Sequence, residues 1–487
     1  MNKITLEELN NVVPVLAANN VAPNELFDYF RVVSINNKKY EIEAKNPLYF
    51  LSYNTDKEVR DGWFINKFDL RQYVNEIIKD HPNATIVVEE NMVDQIEDHN
   101  AKFIVVKSIP ETIDRLFEYF KNKSHAKVVV VTGSVGKTTA VGLIESVLKN
   151  KYNTMRIYSK RITPIILKAN IINFLNDEVD YVILENSLYY HDHVQVLSDL
   201  LKPDISCMLN IESCHLGVDK LQTLDDICIC KAPVLKHAKM GIINEEDEHL
   251  KNINLEDGIV EYNGDPLFKT NLECLDRAKP SEIAIEGNNF VIDNKITITP
   301  FILSDLAKTQ YLYAYKIGKY LGLTNEEIEK GMKEYTPVEN RLNKKVAFGR
   351  EIIFDGDITY YERMKALSEI KYENAYLVIR KAGCSERSER VENIVDYFDK
   401  FKKVFIFDDI EYLDELKNHP NVEVVSNHDF LNNLEGVIIY HYSGYYRVWH
   451  TFDENNLNIY DRDIYKINKI STEEPPTPIG HRRILES

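Results

Sequence analysis

Residues 128–140 read VVVVTGSVGKTTA, and this stretch decides the fold. Four consecutive valines, Val128 to Val131, are β-branched and apolar, which predicts a buried strand. Gly133, Ser134, Val135 and Gly136 follow at once as a glycine-bounded loop. Lys137, Thr138 and Thr139 then open a segment in which Val141, Ile144, Val147 and Leu148 recur at helical spacing. Strand, glycine loop, Lys-Thr, helix is the layout of a phosphate-binding loop. Glycines let backbone N–H groups approach phosphate oxygens, and the helix N-terminus adds partial positive charge. In that layout Lys137 neutralises the β- and γ-phosphates, and the Thr138 hydroxyl sits on a magnesium ion. The usual loop has four residues between its glycines and a glycine at position 131. Val131 stands there instead, and the loop is the shorter G-x-x-G-K-T.

The chain has 487 residues, long enough for about three domains. It is 44% hydrophobic and 28% charged, the balance of a globular protein. No apolar run is long enough to span a bilayer, and the start, MNKITLEELNN, lacks the apolar core of a signal peptide. A cytoplasmic monomer with no membrane insertion is expected. The 59 basic and 77 acidic residues give a net charge of −18, which argues against a nucleic-acid surface. Any anionic substrate must therefore meet a local basic cluster. Cysteines at 207, 214, 228, 230, 274 and 384 show no C-x-x-C pair and read as buried free thiols.

Along the chain, Tyr49 to Tyr53 and Thr85 to Val88 read as strands, with a helix from Leu70 to Lys79 between them. In the centre, strand-like runs end in polar residues, Glu185, Asn210 and Asn244, where an open α/β sheet places its site. Residues 304–323 read as an amphipathic helix, and Asn325, Glu326 and Glu327 as the cap and first turn of the next. Beyond residue 337, strand-like runs (375–379, 403–407, 423–425, 437–440) alternate with helical stretches such as 388–401, a Rossmann-like pattern. The tail, TEEPPTPIGHRR, is proline-rich and reads as loose. The fold class is α/β in three domains. These are a smaller α/β domain (1–122), a central phosphate-loop domain with a mostly parallel sheet (123–336), and a Rossmann-like domain (337–487).

TGSVGKTT resembles the ATP loop of the Mur ligases, most of all the MurF branch, which adds a dipeptide to a UDP-linked muramoyl peptide. Further matches follow in family order. NPLYFLSY, DGWFIN and NATIVVEE resemble the first domain of MurE and MurF proteins, which holds the UDP end of the substrate. The family's Asp-Ser-Arg uridine element is replaced near its place by SINNKKY (34–40). The resemblance implies an ADP-forming amide ligase of peptidoglycan and cell-wall synthesis. ATP phosphorylates a carboxylate, an amino acid or dipeptide attacks the acyl phosphate, and phosphate leaves.

The resemblance also implies roles for single residues. Glu185, in LENS, stands where the family has a magnesium-binding glutamate, and His215, in LNIESCHLG, where a histidine helps hold a second magnesium. Lys231, in ICICKAPVL, stands where MurF proteins carry a lysine carbamylated by carbon dioxide, an anion that bridges to magnesium. Thr138, Glu185, His215 and Lys231 are thus the metal set. Gln310 occupies the place of the adenine-binding asparagine, and Asn244 fits the family's strand-end asparagine. Arg341, in PVENRL, matches the arginine that opens the last domain and reaches the γ-phosphate, with Asn340 in place of a glycine. Asp355 matches the aspartate that begins a family element contacting nucleotide and amine, but the continuation here is DITYYERM. His191 and His193, in YYHDH, have no counterpart and read as surface or substrate-side residues. A folylpolyglutamate-type ligase lacks its folate signature here. A P-loop ATPase switch or non-catalytic scaffold differs from a ligase in not needing both an acid and an amine.

Overall fold

The computed structural model describes residues 1–32, 44–63, 67–157, 162–338, 341–355, 361–372, 374–381, 391–410, 413–442, 451–452 and 457–458. The segments SINNKKY, the end of DGWFIN, Asn340, Cys384 and the proline-rich tail lie outside them. Two compact units divide the described chain.

The first unit holds Met1–Lys127 and Asn153–Leu184. Its five-stranded sheet runs in the order Val15–Asn19, Phe103–Val106, Thr85–Glu89, Pro47–Phe50, Tyr29–Arg31. Only the first of these is antiparallel to its neighbour. The helix Ile109–Lys123 starts at Ser108, whose hydroxyl accepts from Glu111 N, and it buries Ile109, Ile113, Leu116, Phe117 and Phe120 along one stripe. Asn173, on the helix Pro164–Phe174, closes a two-way bond with the main chain of Phe30, donating and accepting at 2.8 Å. The expected strand 49–53 is shorter: it ends at Phe50, and Tyr53 makes only an isolated bridge to Asp69.

The second unit holds Val128–Tyr152 and Glu185–Ile464. The four strands Lys127–Thr132, Ile205–Met208, Met240–Asn244 and Cys274–Ala278 lie side by side, all parallel and all carrying buried apolar residues. Helix Lys137–Leu148 leaves the first of them and is buried almost throughout. Helices Asp305–Tyr320 and Asn325–Glu334 belong with it. At Gly331 an added Cβ would sit 2.5 Å from Ser146 O, and Ser146 Oγ donates to Gly331 O at 2.7 Å, so only glycine permits this approach. The cap of the last helix is Thr324, not Asn325. Thr324 and Glu327 form a reciprocal capping box, so that two end donors are satisfied by one pair of side chains.

The same unit ends in a second sheet, ordered Arg341–Ala347, Arg350–Asp355, Ile438–Tyr442, Tyr376–Lys381, Lys403–Phe407, Val422–Val425. Five strands are parallel, as the βαβ pattern predicts. The first is an antiparallel edge strand, joined by a tight turn at Phe348 and Gly349, both with positive φ. The stretch expected to be α-helical near 388–401 is a 3-10 helix over Val391–Lys400. Cys207, Cys214 and Cys228 are buried free thiols as expected, but Cys274 is exposed on its edge strand.

Candidate functional site

The site lies at the carboxyl ends of the parallel strands of the second unit, where the crevice of an open α/β sheet opens. Gly133 and Gly136 both have positive φ. A Cβ at Gly136 would meet Gln310 Nε2 at 2.7 Å, and one at Gly133 would meet Leu209 Cβ at 3.0 Å. The loop is therefore a cradle that side chains would fill.

Asn210, at the end of its strand, clamps the loop from behind. Its Oδ1 accepts from Ser134 N and Val135 N, both at 2.9 Å, and its Nδ2 donates to Val135 O at 3.0 Å. Ser134 Oγ donates to Glu212 O at 3.2 Å and accepts from Glu212 N at 2.9 Å. Sequence reasoning marked Asn210 only as a strand end. A polar residue closing an apolar strand beside the loop was the available signal.

Two lysines converge on the loop. Lys137 Nζ donates to Gly133 O at 2.9 Å and to Ser134 O at 3.2 Å, and Lys231 Nζ donates to the same Gly133 carbonyl at 2.8 Å. Lys231 is 2% exposed. Burial, reinforced by the Lys137 ammonium, lowers its pKa to about 7, so a neutral amine is readily reached at neutral pH. Next along the chain, Thr138 Oγ1 donates to Glu185 Oε2 at 2.8 Å. The predicted pair of hard oxygen donors is thus together, which suits a magnesium ion beside a phosphate. Thr139 is buried in the first turn of the helix.

His215 has a left-handed backbone, φ 74°, and its ring meets Tyr189 edge-on at 5.0 Å. His193 is fully buried at the start of the helix His193–Leu201 and is not a surface residue; its position packs it between tyrosines 189 and 190. His191 is the outer one and pairs with Asp219. Gln310 is buried, and its Nε2 donates to Gly136 O at 3.0 Å, so its amide already serves the loop. Asn244 Nδ2 donates to Leu209 O at 3.4 Å. A cleft of about 460 Å³ opens beside the loop, with Val135, Asn210, Asn244, Thr309 and Lys365 in its wall.

Arg341 and Asp355 are cross-strand register partners at the open end of the edge hairpin. The Asp355 carboxylate is buried. It accepts from Arg363 Nε at 2.9 Å, makes a second bond to Arg363 Nη2, and faces His441 Nδ1 at 2.9 Å. The structure thus places Asp355 inside the last sheet with two partners that sequence reasoning did not single out. In the first unit, Arg71 lies 3.7 Å over the Tyr53 ring and pairs with Asp69 and Glu89.

These features define a class: an open α/β domain with a short phosphate-binding loop, paired lysines and an acidic metal-binding candidate. Comparison with known proteins makes the class specific, since residues 131–263 match the family model of the Mur ligase middle domain. The UDP-N-acetylmuramoyl-tripeptide–D-alanyl-D-alanine ligase of Borreliella burgdorferi is 26% identical over 148 residues, 30% of this chain and 31% of that protein. The UDP-N-acetylmuramoylalanine–D-glutamate ligase of Petrotoga mobilis is 24% identical over 407 residues, 81% of this chain and 82% of that one. The chain spans about a third of the length of the first curated relatives it matches. Crystal structures of MurF share its fold. That of Acinetobacter baumannii has a TM-score of 0.65 at 15% identity, covering 91% of this chain and 96% of MurF. That of Thermotoga maritima MurF in complex with ADP has 0.63 at 17%, covering 85% and 94%. Among the described residues no helix is long and apolar enough to cross a membrane.

Proposed function

We propose that this chain is an ADP-forming, ATP-dependent amide ligase of the Mur type, joining an amino acid or short peptide to a carboxylate on a UDP-linked cell-wall precursor in the cytoplasm. The observation that carries the reading is the convergence of Lys137 and Lys231 on Gly133 O, together with the Thr138–Glu185 bond, in a stretch that matches the Mur ligase middle domain. The ADP complex of a protein with the same fold supports the nucleotide. The division into domains 1–122, 123–336 and 337–487 belongs to this reading.

When bound, ATP and magnesium supply the phosphoryl group and the charge neutralisation that turn a carboxylate into an acyl phosphate. The Lys137 ammonium and the N–H groups that open its helix stabilise negative charge as it moves onto phosphate oxygens. Thr138 and Glu185 would offer oxygen to the metal, and His215 would add a ring nitrogen. A neutral Lys231 amine can add carbon dioxide, forming an N–C bond and releasing one proton. Such a carbamate would be an anion beside Lys137, would remove the repulsion between the two lysines, and would offer the metal another oxygen ligand. Gln310 and Asn244 would hold the adenine side, and Arg341 would pair with the γ-phosphate.

Product analysis tests the reading. With a UDP-muramoyl peptide and a panel of amino acids and dipeptides, ADP, phosphate and amide form in equal amounts, and ADP release needs both acid and amine. Hydroxylamine traps the acyl phosphate when amine is withheld. AMP and pyrophosphate as products, or ADP release indifferent to acid and amine, overturn it.

A further inference from the structure

The segment in which the chain departs from the Mur pattern, DITYYERM, runs into the helix Tyr361–Ser368, and that helix has a specific mooring. Lys365 Nζ donates to Glu212 Oε1 at 2.7 Å, and one turn earlier the Glu362 carboxylate accepts from Ser213 Oγ. Glu362 is 2% exposed. Between them, Arg363 turns the other way and holds the buried Asp355 of the last sheet. Glu212 is itself tied to the phosphate loop by the two bonds between its main chain and the Ser134 hydroxyl. An unbroken path therefore runs from Ser134 through Glu212 and Ser213 to the helix, and through Arg363 into the last sheet. His215 lies two residues beyond Ser213.

We propose that helix Tyr361–Ser368 is a latch that couples the phosphate loop to the last sheet, with Glu362 and Lys365 as its positioning residues. The inference deepens the ligase reading and rests on it for the role of nucleotide. A half-exposed ion pair is a weak tie by itself. Here it is joined by a part-buried hydroxyl–carboxylate bond on the same helix face, and the two contacts set both the position and the rotation of the helix. Phosphate seated in the loop fixes Ser134, hence Glu212 and Ser213, hence the helix. Glu362 and Arg363, from the stretch that replaces the family's element, thus belong to a mechanical connection.

Hydrogen exchange of residues 361–368 in the full chain, with and without a non-hydrolysable ATP analogue, is the test. The analogue slows exchange of the helix by about fivefold or more in the native chain. Lys365→Glu removes that protection, and the charge-swapped pair Glu212→Lys with Lys365→Glu restores it. Lys365→Met gives the same loss with no new charge, should the glutamate variant fail to fold. Both single variants lower kcat more than they change the KM for ATP. Protection absent in the native chain, unchanged in the Lys365 variants, or no better in the swapped pair than in the single variant overturns the latch. ADP release independent of acid and amine in the native chain overturns the ligase reading and leaves the exchange result standing.

Discussion

Replacing Lys231 by methionine, a side chain of similar length without charge, isolates the consequence of burying an amine beside Lys137. The ammonium pKa falls from its ordinary 10.5 to about 7 because the group is buried and faces a second cation. That drop corresponds to about 5 kcal/mol against the charged form. Between pH 7 and pH 10.5 the unfolded chain holds a proton that the folded chain releases, so stability rises with pH across that window. From pH 7 to pH 9 the rise from this one group is about 2 kcal/mol. Lys231→Met lacks it. The difference in unfolding free energy between native chain and variant therefore moves by about 2 kcal/mol in favour of the native chain from pH 7 to pH 9. Urea unfolding followed by circular dichroism, with both proteins side by side in carbon-dioxide-free buffer, reads the difference while preventing carbamate formation. A difference that stays constant with pH refutes the argument that the site disfavours an ammonium at Lys231.

Lys137→Ala removes the cation at the loop and lowers ATP turnover by about a hundredfold or more with circular dichroism unchanged, as loss of one transition-state charge partner does; near-native phosphate release contradicts the loop assignment. Asp355→Asn leaves Arg363 a buried cation without its anion, and costs about 3–5 kcal/mol in chemical unfolding. A neutral result there would mean that the Asp355–Arg363–His441 cluster is not a stabilising unit. On the ligase reading Arg341→Ala lowers kcat more than it raises the KM for ATP, because its γ-phosphate contact would form in the reacting complex; an equal effect on both constants contradicts that timing.

The phosphate loop was readable from 128–140 alone because strand propensity, glycine spacing and helical periodicity agree there. The same agreement made the parallel strands ending at Glu185 and Asn244 legible. Local rules failed where a tertiary partner decides the outcome. The role of Asn210 depends on two N–H groups 75 and 76 residues away in sequence. The burial of Asp355 against Arg363 and His441, the latter 86 residues distant, is set by partners that no local pattern names. Thr324 rather than Asn325 caps its helix because a reciprocal bond with Glu327 outweighs the intrinsic preference of asparagine. The antiparallel edge strand Arg341–Ala347 carries no signal that distinguishes it from a parallel one.

The clamp of Asn210 on the loop has a thermodynamic consequence. A phosphate-binding loop that must fold around its ligand loses conformational entropy at the moment of binding, and affinity is reduced by that amount. In this chain both residues between the glycines are already fixed, Ser134 and Val135 through Asn210 Oδ1, and Ser134 again through Glu212. The loop enters the encounter as a rigid seat. The ordering cost was met during folding, by the Asn210 amide beyond the end of a neighbouring strand and by the main chain of Glu212. On the ligase reading, nucleotide affinity is therefore tied to the stability of the strand Ile205–Met208 that carries Asn210 into place. A substitution in that strand, remote from any phosphate, weakens binding by loosening the seat and leaves every group that touches the ligand intact.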